Sequence, residues 1–203
     1  HIHTPYLHMI YIARIILQTK MRLPLFYLSL PIWFFLVFSI FHAINANNLI
    51  PETCKKCAQQ DPNLIYNFCV TSLQAAPESY SASDIRELGK ISINLINLNV
   101  TNTTRRVKKL LECKKLDPYV KACLNDCYNL YSNAGTATKQ AMKDYKNKHY
   151  KDANIEVSSI IDASTTCEDG FKEKKGVVSP LTKINNDTFQ LSAIALSIIG
   201  MLS

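Results

Sequence analysis

The chain has 203 residues, with 23 Lys plus Arg against 16 Asp plus Glu and a formal net charge of +7. That length holds one domain of ordinary size plus processing segments. Without the N-terminal Arg14, Lys20 and Arg22, 20 basic residues face 16 acidic ones, a net charge of +4 that is too mild and too interleaved to point to nucleic acid.

Leu23 to Phe41 is an uncharged apolar run, preceded by Lys20-Met21-Arg22 and followed by the small residues Ala43 and Ala46. A positive start, an apolar middle and a small-residue cut are the layout of a secretory signal peptide. The run approaches the roughly 20 residues that span a bilayer, so an uncleaved anchor is the competing reading. Pro24 and Pro31 interrupt it and Ala46 offers a cut, which favours cleavage. The expected organisation is upstream or leader sequence at 1–20, a signal peptide at 21–46 and the working domain at 47–203, exported and with no membrane attachment after cleavage. All seven cysteines follow the signal, where an oxidising route makes disulfides their default fate. One must remain unpaired, and counting alone does not assign the pairs.

From Pro51 onward the pattern reads as helix throughout, with no sustained alternation of the strand type. Asp61-Pro62, Asp117-Pro118 and Ser179-Pro180 each place a capping side chain before a proline suited to a first helical turn, predicting three helix starts. Cys54 and Cys69 flank the first of these turns symmetrically, so the arms of a helical hairpin would bring them opposite each other. A turn over Ala76 to Ser83 separates that hairpin from a longer, less regular helix marked by Ile85, Leu88, Leu95, Val107, Leu110 and Leu111.

Val120, Leu124, Cys127, Tyr131, Ala134, Thr138, Ala141 and Tyr145 then alternate spacings of four and three, the signature of one helical seam. Ala153, Val157, Ile160, Ser164, Cys167 and Phe171 repeat it beyond a polar hinge at Lys146 to Tyr150. Two seams joined by a short hinge pack antiparallel, which would let a Cys127–Cys167 bridge tie them. Phe189 to Leu202, apolar on nearly every side and too short to span a membrane, reads as a buried closing helix. The expected fold is all-α: an up-and-down four-helix bundle preceded by an N-terminal helical hairpin, stapled by disulfides.

The residues offer little for catalysis. Four of the five histidines lie before the domain, leaving His149 in the polar hinge without a neighbouring nucleophile. Glu168 and Asp169 are adjacent carboxylates whose helix positions diverge by about a quarter-turn, unlike a converging glycosidase pair, and they read as a solvated face with Lys172, Lys174 and Lys175. Cys54-Lys-Lys-Cys57 has redox spacing but no strand–helix–strand context, and Cys123 with Cys127 has ligand spacing in a chain of disulfides, so neither a redox centre nor a metal site is expected. Cys57 is expected to be unpaired, and Cys113 and Cys123, on either side of the Asp117-Pro118 turn, to form an optional third bridge. Asn99-Val-Thr101, Asn102-Thr-Thr104 and Asn186-Asp-Thr188 are candidate glycosylation sites at Asn99, Asn102 and Asn186.

Thr53-Cys54, Phe68-Cys69, Leu124-Asn-Asp-Cys127-Tyr-Asn-Leu-Tyr131 and Thr166-Cys167-Glu-Asp-Gly-Phe171 resemble the four-cysteine framework of the plant invertase and pectin methylesterase inhibitor family. The resemblance spans essentially all of 47–203. It implies bridges Cys54–Cys69 and Cys127–Cys167, no cofactor, and a non-catalytic role in the apoplast or cell wall. The implied partner is a plant cell-wall or vacuolar invertase, or a pectin methylesterase, met one-to-one and non-covalently by occlusion of its active site. Where invertase inhibitors of the family carry a Pro-Lys-Phe tripeptide in the hinge, this chain has Lys148-His149-Tyr150, the expected target-binding element for an invertase. In that reading Lys148 meets carboxylates and Tyr150 stacks where sugar would lie; for a pectin methylesterase the outer faces of the second and third bundle helices would cover the cleft instead. The rival expectation is a non-inhibitory structural protein engaging acidic pectin through Lys108, Lys109, Lys114, Lys115 and the Lys172 to Lys175 cluster.

Overall fold

The computed structural model describes residues 48–203, so the expected leader and signal peptide lie outside the described residues. Six helices build the described part, with no strand among these residues. They are α1 (48–60), α2 (Tyr66–Gln74), α3 (Ile85–Leu111), α4 (Pro118–Lys146), α5 (Tyr150–Lys172) and α6 (Thr182–Leu202), with a 3-10 turn at Pro77–Ser81.

Local chemistry sets the helix ends. Asp117 caps α4 by accepting from Tyr119 N at 2.9 Å and Val120 N at 3.2 Å, with Pro118 in the first turn. Asp84 caps α3 by accepting from Glu87 N at 2.8 Å, and Glu87 reaches back to Ser83. The other two expected starts prove to be turns that precede their helices. Asp61 Oδ1 accepts from Asn63 N at 2.8 Å, a local bond that competes with helical continuation, and α2 opens only at Tyr66. Ser179 Oγ likewise accepts from Leu181 N at 3.1 Å, and α6 opens at Thr182.

Helices α3, α4, α5 and α6 form an antiparallel ring in which each packs on its neighbour and α6 returns to α3. All six residues of the α5 seam are buried, as are those of the α4 seam from Leu124 to Tyr145. Helix α3 runs unbroken over 27 residues, more regular than its sparse apolar pattern suggests. A second core holds the hairpin against α3 and α6, through Ile50, Leu64, Leu73, Leu88, Ile194 and Ile198. Gln190 of α6 fastens the hairpin turn by accepting from Ile65 N and donating to Asn63 O, both at 2.8 Å. Since α2 has no side-chain cap of its own, this carboxamide satisfies the amide that precedes its first turn.

A buried polar network crosses the ring. Tyr131 donates to Asn185 Oδ1 at 2.7 Å and lies 3.1 Å from Thr188 Oγ1, which donates to Asn99 Oδ1 at 2.7 Å. Asn185 Nδ2 and Thr182 Oγ1 both donate to Glu168, each at 2.7 Å. Glu168 is therefore a half-buried acceptor and not part of a solvated face, because α6 delivers two donors to it. Burial pushes the Tyr131 phenol up to about 12.

Disulfides join Cys54 to Cys69 and Cys127 to Cys167, with Cα separations of 5.7 and 4.9 Å. Loops of 15 and 40 residues correspond to about 3 and about 4 kcal/mol in the chain-entropy model. Cys57, Cys113 and Cys123 are unbridged. The third bridge is absent because Cys123 turns toward α5, its thiol 3.4 Å from Gly170 O, while Cys113 stays exposed beyond the end of α3. Cys57 faces the second core, where burial pushes its thiol up to about 11.

Alkylation of the native oxidised protein should therefore modify Cys113 alone, with Cys57 and Cys123 reacting only on unfolding. Non-reducing peptide mapping reads the result directly, and a Cys113–Cys123 peptide would refute the arrangement. Tyr131→Phe strands the buried Asn185 oxygen and should lower stability by about 1–3 kcal/mol, seen as a reduced urea midpoint at unchanged slope.

Candidate functional site

The hinge between α4 and α5 is three residues long, and all three of its backbone amides are hydrogen-bonded. Asn147 N and Lys148 N donate to Lys143 O and Tyr145 O, each at 3.1 Å, and His149 N donates to Asp144 O at 2.9 Å. Lys148 takes a left-handed conformation, φ 63°, where a helix C-terminus usually places glycine. An L side chain there carries strain of about 1–2 kcal/mol, offset by the surrounding bonds. The result projects Lys148 and His149 into solvent on a short, fixed loop.

Tyr150 points elsewhere. It is half-buried at the start of α5, its phenol oxygen accepts from Arg86 Nε at 3.2 Å, and its ring meets that of Tyr145 edge-on with centroids 5.5 Å apart. Tyr145 in turn donates to Arg86 O at 2.9 Å, and burial raises its pKa. Tyr150 thus ties the hinge to the first turn of α3, which leaves less of its face for stacking on a ligand than the sequence suggests. Arg86 and Tyr145 were not legible as site residues: Arg86 lies 64 positions from its partner, and Tyr145 reads only as a core seam residue.

A glycine makes this arrangement fit. A Cβ on Gly89 would stand 2.0 Å from Tyr145 Oη, 2.7 Å from its Cζ and 2.8 Å from Ile198 Cγ2. Gly135 of α4 is the contrast, with only Val100 Cγ1 near a Cβ position, at 3.9 Å.

Two open grooves flank α4. The α4–α5 groove is lined in its upper part by Asn133, Ala137, Glu156, Ser159 and Asp162, and its lower part adds Asp126, Asp169 and Glu173, with no Lys or Arg in its walls. The α3–α4 groove has the opposite sign, with Arg105, Lys108 and Lys139 and no acid. Of the other basic residues singled out from sequence, Lys109, Lys114 and Lys115 are exposed. Lys172 pairs with Asp169 at 2.9 Å, and Lys174 lies 3.9 Å from Asp117 and 5.0 Å from the Tyr119 ring centroid, so that cluster is partly neutralised.

The three sequons differ in access. Asn102 and Asn186 are exposed, but Asn99 is half-buried with its carboxamide oxygen in the Thr188 bond. Asn99 and Asn102 lie within the continuous α3 and not at an irregularity. Among the described residues no group of three or more His, Cys, Asp or Glu side chains is placed to hold a metal ion, and no helix is long and apolar enough to cross a membrane.

The family model described as plant invertase/pectin methylesterase inhibitor matches residues 48–198. A "Putative invertase inhibitor" of Platanus acerifolia is 45% identical over 174 residues, covering 86% of this chain and 96% of that protein. "Pectinesterase inhibitor 12" of Arabidopsis thaliana is 33% identical over 168 residues, covering 82% and 95%. The crystal structure of a mutant form of a pectin methylesterase inhibitor from Arabidopsis superposes with TM-score 0.61 at 22% identity, covering 68% of this chain and 90% of that one, a likeness of fold.

Gly89→Ala should destabilise by about 1–3 kcal/mol despite alanine's better helix propensity, because Tyr145 must leave its place. Gly135→Ala should be neutral or stabilising by up to about 1 kcal/mol. Urea unfolding of the two variants side by side tests the packing, and equal behaviour would count against it.

Proposed function

We propose, because this chain belongs to the plant invertase/pectin methylesterase inhibitor family, that it is a non-enzymatic protein inhibitor of one of those two enzyme classes, acting by one-to-one, non-covalent occlusion of the active site. The signal-like N-terminal run and the disulfides support a site of action outside the cell, in the apoplast or cell wall.

For the finer choice of target we favour an invertase, with the hinge as the inserting element. One observation carries this: Lys148 and His149 are exposed on a three-residue link whose backbone is fixed by hydrogen bonds and whose flanking helices are cross-linked through Cys127 and Cys167. A preformed loop of this kind loses little conformational freedom on binding, which is where affinity is gained. Lys148 supplies a cation for the carboxylates of a glycoside-cleaving site. Tyr150 acts mainly as the strut that holds the loop against Arg86. The 45% identity to a protein named "Putative invertase inhibitor" points the same way.

The second reading is a pectin methylesterase target, supported by the acidic α4–α5 groove, which runs along the second and third bundle helices. The two readings separate by mutation. Purified oxidised protein is titrated against one plant invertase and one pectin methylesterase. Lys148→Ala with His149→Ala should weaken invertase inhibition by about tenfold or more, a loss of at least about 1.4 kcal/mol, while Glu156→Lys with Asp162→Lys leaves it unchanged. The reverse pattern, on pectin methylesterase, would establish the second reading; no inhibition of either enzyme would sink both.

A further inference from the structure

The groove between α3 and α4 takes no part in either reading above, and its chemistry is specific. Its walls are Asn97, Thr101 and Arg105 with Lys108 on α3, facing Tyr128, Thr136 and Lys139 on α4, around a volume of about 450 Å³. A smaller extension past Asn94 and Met142 shares Asn97 and Lys139, so the trough follows α3 from Asn94 to Lys108, about 20 Å at the helical rise.

Three observations bear on what it would hold. First, its cations are uncommitted: none of Arg105, Lys108 and Lys139 belongs to an ion pair among the described residues, and Arg105 makes only a bond to Asn102 Oδ1 at 3.0 Å. Second, the cations are separated by neutral hydrogen-bonding groups. The side chains of Asn97, Thr101, Thr136 and Tyr128 have no partner within the described chain, and the half-buried Tyr128 ring adds an apolar surface at one end. Third, Gly135 sits in the wall with no packing reason to be glycine, since a Cβ there would make only an ordinary contact with Val100. A mid-helix glycine costs about 1 kcal/mol relative to alanine, and what its absent side chain provides here is open space.

We propose that the α3–α4 groove is a binding site for an oligosaccharide that carries carboxylates, distinct from the surfaces that meet the target enzyme. Arg105, Lys108 and Lys139 meet the carboxylates, Arg105 with the planar fork suited to them. Asn97, Thr101 and Thr136 meet ring hydroxyls, and Tyr128 receives an apolar sugar face. Three dispersed cations with neutral groups between them suit a ligand that is part charge and part hydroxyl. A polyphosphate would call for a denser cluster.

Calorimetric titration of the full oxidised chain tests this with a de-esterified galacturonate oligomer, its methyl-esterified counterpart and a linear polyphosphate of matched charge. The de-esterified oligomer should bind, with affinity falling as salt rises, and both other probes should be weaker by about tenfold or more. Gly135→Leu, which fills the groove without changing charge, and the triple variant Arg105→Gln, Lys108→Gln, Lys139→Gln should each reduce binding by about tenfold or more. Lys114→Gln with Lys115→Gln, outside the groove, should bind as the parent does. Both groove variants should keep the parent's melting cooperativity and enzyme inhibition, which separates this site from the inhibitory surface. Undiminished binding in Gly135→Leu, or equal affinity for the polyphosphate, would overturn the proposal, the latter by reducing it to general attraction of polyanions.

Discussion

A phenol hydroxyl at the centre of four helices constrains everything around it. Tyr131 is fully buried, and a buried polar group that loses its partner costs about 1–3 kcal/mol, so its oxygen must meet Asn185 and Thr188. Those α6 side chains reach in turn to Asn99 on α3 and to Glu168 on α5. Apolar seams alone tolerate sliding by a helical turn at modest cost, because one aliphatic residue substitutes for another. A chain of directional bonds does not. The network therefore fixes the axial register of the ring, and the Cys127–Cys167 bridge, one turn from Tyr131, locks the α4–α5 pair in that register.

Register at the centre becomes geometry at the end. With α4 fixed against α3, Tyr145 falls opposite Gly89, and only a missing Cβ lets its ring reach Arg86 O. The same Arg86 then holds Tyr150 through its side chain, so the last turn of α4 and the first turn of α5 are pinned to one residue of α3. The hinge between them inherits that rigidity, and Lys148 can keep its left-handed backbone because three neighbouring amide bonds specify it. Stiffness at the candidate inhibitory loop is thus a consequence of packing far from it.

What could be read from the sequence followed from local periodicity. The α4 and α5 seams, the hinge and the Asp117 cap depend on residues within a few positions of one another, and the structure has them where the pattern puts them. The regularity of α3 was hidden because Asn94, Asn97, Asn99 and Asn102 dilute its apolar pattern and are poor helix formers, whereas in the fold Asn99 is held by Thr188. Glu168, Gln190 and Arg86 escaped for a related reason. Each is an ordinary polar residue in its own segment, and its role arises from a partner on another helix. Asp61-Pro62 shows the limit within local chemistry itself, since the same two residues begin a helix in one context and an Asx turn in another.

The two sides of α4 carry opposite charge because its neighbours do. Helix α3 has no acid after Glu87, while α5 brings Glu156, Asp162 and Asp169 to the other side. Since α4 adds one charge to each groove, Lys139 to the cationic one and Asp126 to the anionic one, among mostly small and neutral side chains, the larger share of each groove's sign comes from the flanking helix. This segregation has a physical consequence for a molecule of small net charge. The cationic and anionic troughs lie on either side of one helix, so an acidic chain attracted to one is repelled by the other, and its axis is directed along α3. Orientation of an anionic ligand therefore follows from the division of charge between the two grooves, which a uniformly basic surface of the same net charge would not provide.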